Sequence, residues 1–454
     1  MKLAVIGTGY VGLVSGVCFS EFGFHVTCVD KDGEKIAKLQ QHIMPIYEPG
    51  LEAMVEANRK AGRLSFSTDL GQAVSNADAV FIAVGTPAND ADGTPDMSQI
   101  NAVALEIAKH LKDYTLIVIK STVPVGSNRA VAKLIGEANP NADFDVASNP
   151  EFLREGTAIE DFMSPDRIIA GIDSKRARDM LTRLYEPIAL NGAQLLFSTF
   201  ESAEMIKYAA NAMLAARIAF LNEITDLCEK SGANIRDVAK GVGLDKRIGD
   251  KFLHPGPGYG GSCFPKDTLA LRDMAEKAGC PSRIVEAVIL SNDERKLRMA
   301  EKIIHAAGDI KGKTIAILGL TFKPGTDDMR ESPSLAIVPA LLQAGASIRA
   351  YDPQGMKEAA KLLKGKITWC KDAYHAMEQA DGVAILTEWN EFRRLDLKKA
   401  KELLKSPLVV DLRNIYKRQD MQRHGFHYVS IGRQDVVPGE PWIPDLNLSD
   451  EKAA

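Results

Sequence analysis

Short, unbroken apolar runs separated by longer mixed segments set the rhythm of this chain. Leu3-Ala4-Val5-Ile6, Ala79-Val80-Phe81-Ile82-Ala83-Val84 and Thr115-Leu116-Ile117-Val118-Ile119 do not alternate with polar residues, the pattern of strands buried on both faces of a parallel sheet. His25 to Val29 reads as a further strand ending at Asp30, and Asp145-Val146-Ala147-Ser148 as another. Between the first two strands, Leu13, Ser15, Gly16, Val17 and Phe19 recur at helical spacing. Strands alternating with helices predict a doubly wound α/β domain, here over residues 1–198.

From Ser202 to Ser231 the pattern changes. Met205, Ile206, Ala209, Met213, Leu214, Ile218, Leu221, Ile224 and Leu227 predict one long helix, roughly 30 residues, apolar around much of its circumference. Helices around Ile235 to Gly241, Pro265 to Ala278 and Pro281 to Ala306 complete a central helical domain over 199–308, expected to act as spacer and dimer contact. Asp309 to Lys313 reads as an exposed linker. Thr314 to Gly319 then opens a second α/β domain over 309–454, and Ser347 to Asp352 parallels the strand ending at Asp30. Asp372 and Ala380-Asp381-Gly382-Val383 repeat the spacing of Asp69 and Ala77-Asp78-Ala79-Val80. The expected fold is therefore α/β, with two Rossmann-like doubly wound domains joined by a helical one, and with Asn447 to Ala454 as a frayed end.

Composition narrows the classes of function. A chain of 454 residues calls for two or three domains. A net charge of −4 provides no electrostatic footprint for nucleic acid or an anionic membrane. The six cysteines are widely spaced, without a C-x-x-C pair or zinc-type cluster, so neither a disulfide framework nor a metal is expected. No apolar run approaches the roughly 18 residues of a membrane span, and the N-terminus runs directly into a strand, which points to a cytoplasmic protein.

Chemistry enters at six places. Gly7-Thr8-Gly9-Tyr10-Val11-Gly12 lies between a strand and a helix, with an acid, Asp30, after the next strand: the dinucleotide-binding arrangement. Asp30 favours NAD over NADP, slightly offset by Lys31 and Lys35. The turns Gly85-Thr86-Pro87 and Lys120 to Gly126 follow strands, where cofactor and substrate contacts gather; Ser121 and Thr122 read equally as caps of the next helix. Glu151 and Glu155 lie beyond another strand end, placed for acid–base work or as surface acids. Lys207 and Asn211 share a helix face and could hold an oxyanion. Cys263 follows a loop rich in glycine (Gly256, Gly258, Gly260, Gly261), with Lys266 and Asp267 just after it, and is a candidate nucleophile. Lys323, Arg330 and Arg413 are candidate phosphate partners or plain surface cations.

In order, Gly7 to Gly12, Ser121 to Gly126, Asn149 to Gly156, Lys207 with Asn211, Phe252 to Asp267 and Phe322 to Ser332 resemble the motifs of the UDP-glucose 6-dehydrogenase family of nucleotide-sugar dehydrogenases, over essentially the whole chain. The resemblance implies NAD-dependent four-electron oxidation of UDP-glucose to UDP-glucuronate through a thiohemiacetal and a thioester on Cys263. It implies that Lys207 and Asn211 stabilise the oxygen at C6, that Asp267 and Glu151 serve water activation and proton transfer, and that Thr122 holds the water. Near NAD it implies Gly7, Gly9, Tyr10, Val11, Gly12, Asp30 and Lys35, together with Thr86, Ser121, Thr122, Glu155, Lys266 and Arg330. For the sugar nucleotide it implies Glu151, Phe152, Leu153, Lys207 and Asn211, the loop with Phe252, Leu253, Gly258, Tyr259, Gly260 and Gly261, and Phe322 with Lys323. Arg247 would reach the partner subunit's substrate in a homodimer formed through the central helix. His254 departs from many members.

Three alternatives stand beside that reading. GDP-mannose and UDP-N-acetylmannosamine dehydrogenases share the architecture and the cysteine. A two-electron β-hydroxyacid dehydrogenase shares the lysine–asparagine pair but leaves Cys263 unexplained. A non-enzymatic NAD sensor needs neither the nucleophile nor the acids.

Overall fold

A computed structural model describes residues 1–87 and 94–440, so the expected frayed end, Asn447 to Ala454, lies outside the described residues. The chain gathers into two compact units: residues 1–210 with 269–280, and residues 211–268 with 281–454. The long helix Phe200–Ser231 and the helix Phe264–Lys277 each contribute residues to both.

The first unit is built on an eight-stranded sheet of β1 (Lys2–Ile6), β2 (His25–Val29), β3 (Leu64–Ser67), β4 (Ala79–Ile82), β5 (Thr115–Ile119), β6 (Phe144–Ser148), β7 (Arg167–Gly171) and β8 (Gln194–Ser198). Their order is β3-β2-β1-β4-β5-β6-β7-β8, with every pairing parallel except β6 with β7. The apolar runs are unbroken because both faces are covered. Leu3, Val5 and Phe81 join one core with Val17 and Phe19, whereas Ala4, Ile6, Val80 and Ile82 join another with Ile100 and Ile107. β4 ends at Ile82, before the expected Val84, because the chain leaves the sheet over the glycine turn after β1.

The second unit carries a six-stranded, wholly parallel sheet of β9 (Thr314–Leu318), β10 (Ser347–Tyr351), β11 (Ile367–Trp369), β12 (Gly382–Ile385), β13 (Leu408–Asp411) and β14 (His427–Ser430). Its order, β11-β10-β9-β12-β13-β14, repeats that of the first six strands. The repeated acids do the same jobs in both sheets. Asp69 and Asp372 each cap a helix, accepting from the backbone of Gln72 and His375. Asp78 and Asp381 each accept from the first N–H of the central strand, that of Lys2 at 2.7 Å and that of Thr314 at 2.8 Å. After that strand, Gly7 and Gly319 turn at φ 103° and 89°. Asp352, the counterpart of Asp30, is sealed in: Leu320 N–H, Thr321 N–H, the Thr321 hydroxyl and the Trp389 indole N–H all donate to its Oδ2. The expected exposed linker at 309–313 is pinned by Ile310, which packs into the second unit's core.

Four helices match the central segment: Phe200–Ser231, Ile235–Gly243, Phe264–Lys277 and Arg283–Ala307. The first has 32 residues. Among the described residues, no helix is long and apolar enough to cross a membrane.

Candidate active site

The glycine turn after β1 is shaped by close packing. A Cβ on Gly7 would lie 2.6 Å from the Ala83 carbonyl oxygen, and one on Gly12 would lie 1.9 Å from that of Gly7, so neither tolerates a side chain. Above Gly9 there is open space, and Gly9 caps the helix Tyr10–Glu21 without any side-chain bond to its amides. That leaves a bare helix N-terminus with room for a pyrophosphate. Val11 packs against the core of this face.

At the end of β2, Asp30 Oδ2 accepts from Thr8 N–H at 2.9 Å, the Thr8 hydroxyl at 2.7 Å and Lys35 Nζ at 3.2 Å. Burial pushes its carboxyl up, but the bonds from Thr8 and Asp32 and the Lys35 charge outweigh it and hold the value at about 2. These residues fit a dinucleotide: a cleared approach, an uncapped helix start and an ionised acid.

Tyr10, inside the glycine motif, donates to Glu48 and accepts from Gly156 N–H at 2.7 Å. Glu48 is buried and also accepts from Gly156 N–H and Ala158 N–H, so it ties the glycine motif to the loop after β6. Nothing local in the sequence marked Glu48, because Tyr10 lies 38 residues before it and its backbone partners Gly156 and Ala158 more than a hundred after it. Glu155 is half-buried in that same loop. The turns after β4 and β5 are laced together: Thr86 donates to the Thr122 carbonyl at 2.9 Å and Ser121 to that of Val84 at 2.6 Å. Neither Ser121 nor Thr122 caps the following helix, Ser127–Ala138. Buried Glu204 does so, accepting from Gly126 N–H and Asn128 N–H.

Glu151 and Lys207 meet. Lys207 Nζ lies 3.1 Å from Glu151 Oε1, with both side chains about 5% exposed or less. Glu151 Oε2 accepts from Leu153 N–H at 2.6 Å, and the Phe152 ring is flanked by Arg167 at 3.8 Å and Lys207 at 5.2 Å from its centre. Close by is Lys120, which directly follows β5 and which the sequence reading left without a role. Its signal was a lysine ending a wholly apolar strand.

In the second unit, Asn211 Nδ2 donates to Asp267 Oδ2 at 2.6 Å, and Lys266 Nζ lies 2.8 Å from Asp267 Oδ1. Asp267 is 1% exposed. The helix begins at Phe264, and the Asp267 N–H donates to the Cys263 carbonyl at 2.8 Å, so Cys263 stands at the helix start with Asp267 one turn on. A helix N-terminus favours a thiolate.

The loop ahead of Cys263 is held by polar side chains from the helices Phe200–Ser231 and Arg283–Ala307. Asn222 accepts from Gly256 N–H, Asn292 bonds both backbone groups of Tyr259, and buried Arg295 donates to the Gly256 carbonyl while pairing with Asp226. Sequence reasoning missed all three anchors. The loop also docks on the segment after β9: Gly261 N–H donates to the Arg330 carbonyl at 2.8 Å, and a Cβ on Gly260 would lie 2.3 Å from the Glu331 carbonyl oxygen. A Cβ on Gly261 would strike the Phe322 ring, and one on Gly258 would crowd Asn292 at 3.1 Å. Phe252 sits at φ 60°, its ring centre 6.0 Å from that of Phe264, while Leu253 packs with Leu221 and Ile235.

The candidate cations divide. Lys323 Nζ lies over the Phe322 ring at 5.4 Å. Arg330 pairs with Asp328, and Arg413 donates to the Leu386 and Phe322 carbonyls beside Glu388. Arg247 stands apart, highly exposed and bonded to its neighbour Asp245. Among the described residues no group of three or more His, Cys, Asp or Glu is arranged to hold a metal.

A dinucleotide cradle, a second sheet of the same topology and a cysteine at a helix start define a class, the NAD-dependent dehydrogenases. Similarity to known proteins makes this specific. Residues 1–189, 201–294 and 316–418 match, in turn, the NAD-binding, central and UDP-binding domains of the UDP-glucose/GDP-mannose dehydrogenase family, and the chain belongs to that family. It is 56% identical to the UDP-glucose 6-dehydrogenase of Rhizobium meliloti (strain 1021) over 96% of this chain and all of the relative. It is 46% identical to UDP-glucose 6-dehydrogenase TuaD of Bacillus subtilis (strain 168), covering 99% of this chain and 97% of the relative. Among solved structures, a UDP-glucose dehydrogenase from Pyrobaculum islandicum superposes with TM-score 0.88 at 37% identity, covering 95% of this chain and 98% of the other.

Proposed function

We propose that the protein is a UDP-glucose 6-dehydrogenase, converting the C6 alcohol of UDP-glucose to the carboxylate of UDP-glucuronate. Bound NAD supplies the hydride acceptor, once for each of two successive oxidations. The observation that carries the reading is Cys263 at a helix start, one turn from buried Asp267. An enzyme that stopped at the aldehyde would have no use for a nucleophile there. The identities to UDP-glucose enzymes support the choice of sugar.

In this mechanism Lys207 and Asn211, one turn apart on the long helix, stabilise negative charge on the C6 oxygen as the alcohol gives up its proton. The Cys263 thiolate then adds to the aldehyde carbon; a C–S bond forms and the charge passes to the oxygen. Oxidation of that thiohemiacetal leaves a thioester. Water, relieved of a proton by Asp267 or Glu151 and held by Thr122, adds to the thioester carbon. The C–S bond breaks, the thiolate is restored and the carboxylate leaves. One water is consumed per sugar. Phe322 and Lys323, with the loop from Phe252 to Gly261, hold the nucleotide.

A homodimer through the long helix is part of the proposal. Met213, Phe220 and Leu227, spaced seven apart, are 65%, 58% and 61% exposed, a continuous apolar stripe on an isolated chain. Arg247, with its long exposed side chain, would then serve the partner's substrate. Six cysteines without a disulfide among them fit a cytoplasmic location.

NADH counted against sugar consumed tests the proposal. Two NADH per UDP-glucose, with Cys263→Ser unable to release acid, is the expected result. Inert UDP-glucose beside active GDP-mannose or UDP-N-acetylmannosamine would overturn the substrate, and steady acid production by Cys263→Ser would overturn the covalent route.

A further inference from the structure

Lys120 is a buried lysine whose stabilising contacts are too few for a purely structural role. It is 4% exposed, directly after a strand whose five residues are all buried. Its Nζ donates to Asn149 Oδ1 at 3.1 Å and lies 5.7 Å from the centre of the Phe162 ring. Neither contact is an ion pair at hydrogen-bond distance. A buried ammonium held by one amide oxygen and one ring face is costly, and a hydrophobic side chain of the same length would be the more stable choice.

The surroundings say what the charge faces. Asn149 is fixed from several sides: Oδ1 also accepts from the Tyr185 hydroxyl, Nδ2 donates to the Ile169 carbonyl on β7 at 2.8 Å, and its N–H donates to the Ile119 carbonyl on β5 at 2.9 Å. Two residues on is Glu151, paired with Lys207. The titratable groups that act on Lys120 are Glu151, Lys207 and Cys18. Lys207 pairs with Glu151, and Lys120 is tied through Asn149 to the same loop, so two ammonium groups and one carboxylate share a region where little water enters.

We propose that Lys120 is a positioning residue for the oxidation, its buried charge standing behind the Glu151–Lys207 pair so that the cluster stays net positive while negative charge builds on the substrate's C6 oxygen. The inference rests on the function proposed above. Lys120 does not itself touch the substrate in this scheme; it acts through the pair, and Asn149 fixes where the charge sits. A preorganised charge of this kind acts on the transition state more than on the ground state, so its removal lowers kcat and spares KM.

The experiment compares Lys120→Met, Lys120→Gln and Lys120→Arg with the wild type, measuring kcat, KM for UDP-glucose and thermal midpoint. Met and Gln remove the charge at similar length, while Arg restores it. The expected result is a fall in kcat of about 10- to 100-fold for Met and Gln, with KM changed less than about threefold, an undiminished thermal midpoint, and partial recovery in Arg. Wild-type kcat in either neutral variant, or an Arg variant as slow as Met, overturns the proposal. Should Met fail to fold, Gln decides, since it keeps a donor for Asn149. If the wild type oxidises another nucleotide sugar instead of UDP-glucose, that result overturns the substrate, and the same comparison on the active sugar decides the role of Lys120.

Discussion

Two charged side chains show how burial and bonding set a single residue's chemistry. Lys120 has its ammonium pushed down from 10.5 to about 8, by burial first, against the attraction of Glu151 and together with the repulsion of Lys207. The folded value lies below the unfolded one, so the charged form is penalised in the fold. That penalty is complete below about pH 8 and vanishes as pH rises toward the ordinary lysine value; a shift of this size corresponds to roughly 3 kcal/mol. Lys120→Met should therefore be more stable than the wild type at pH 7 by up to that amount, with the advantage shrinking at higher pH. Thermal unfolding at pH 7 and pH 10 checks the sign, and an advantage that grows with pH would contradict it. Asp30 is the opposite case, held at about 2 and so ionised throughout the working range. Asp30→Asn should lower kcat/KM with NAD by about tenfold and raise it with NADP, by removing a strong acceptor for a ribose hydroxyl and a charge that repels phosphate. Cofactor titrations of both enzymes measure the two changes.

At the scale of elements, Cys263, the proposed nucleophile, is presented by a loop clamped between helices and the segment after β9. Gly260→Ala puts a Cβ against backbone, the Glu331 carbonyl, which cannot swing aside as a side chain does. The substitution is expected to displace Cys263 and slow its alkylation by iodoacetamide several-fold, with a smaller loss of thermal stability; an unchanged alkylation rate would show that the loop yields freely. The anchors of this loop explain what could and could not be read from the sequence. β1, β4, β5, β9 and the long helix were legible because burial on two faces, or around a helix, leaves a local pattern of apolar residues. Cys263 and its glycines were legible because a tight loop needs consecutive residues without side chains. Asn222, Asn292, Arg295 and Glu48 were not, since each is an ordinary polar residue whose meaning lies in a distant backbone group. β7 and β8 also went unmarked: β8 is a half-exposed edge strand whose apolar run is only Leu195-Leu196-Phe197, and β7 begins with the half-buried Arg167.

For the whole molecule, the stripe of Met213, Phe220 and Leu227 is the feature on which the proposed homodimer rests. Burying a side chain of that size is worth about 1.5–3 kcal/mol, so three of them at heptad spacing make a credible seam between two helices. Phe220→Glu should shift the sedimentation coefficient toward that of a single chain, and Leu227→Glu likewise; a wild type that already sediments as a monomer would overturn the proposed dimer.

The repeated sheet has a consequence for anyone who would redesign it. The strand order, the turning glycine and the acid are all in place after β9, which invites a glycine motif there as a second cofactor site. Yet Asp352 already receives two backbone N–H groups, a hydroxyl and an indole N–H on one oxygen, and its other oxygen takes the backbone N–H groups of Gln354 and Gly355. In this half of the protein the acid works as an internal fastener. A graft would have to begin by removing Trp389 and freeing that carboxylate, and the likeness of the two sheets would be a misleading guide to how little must be changed.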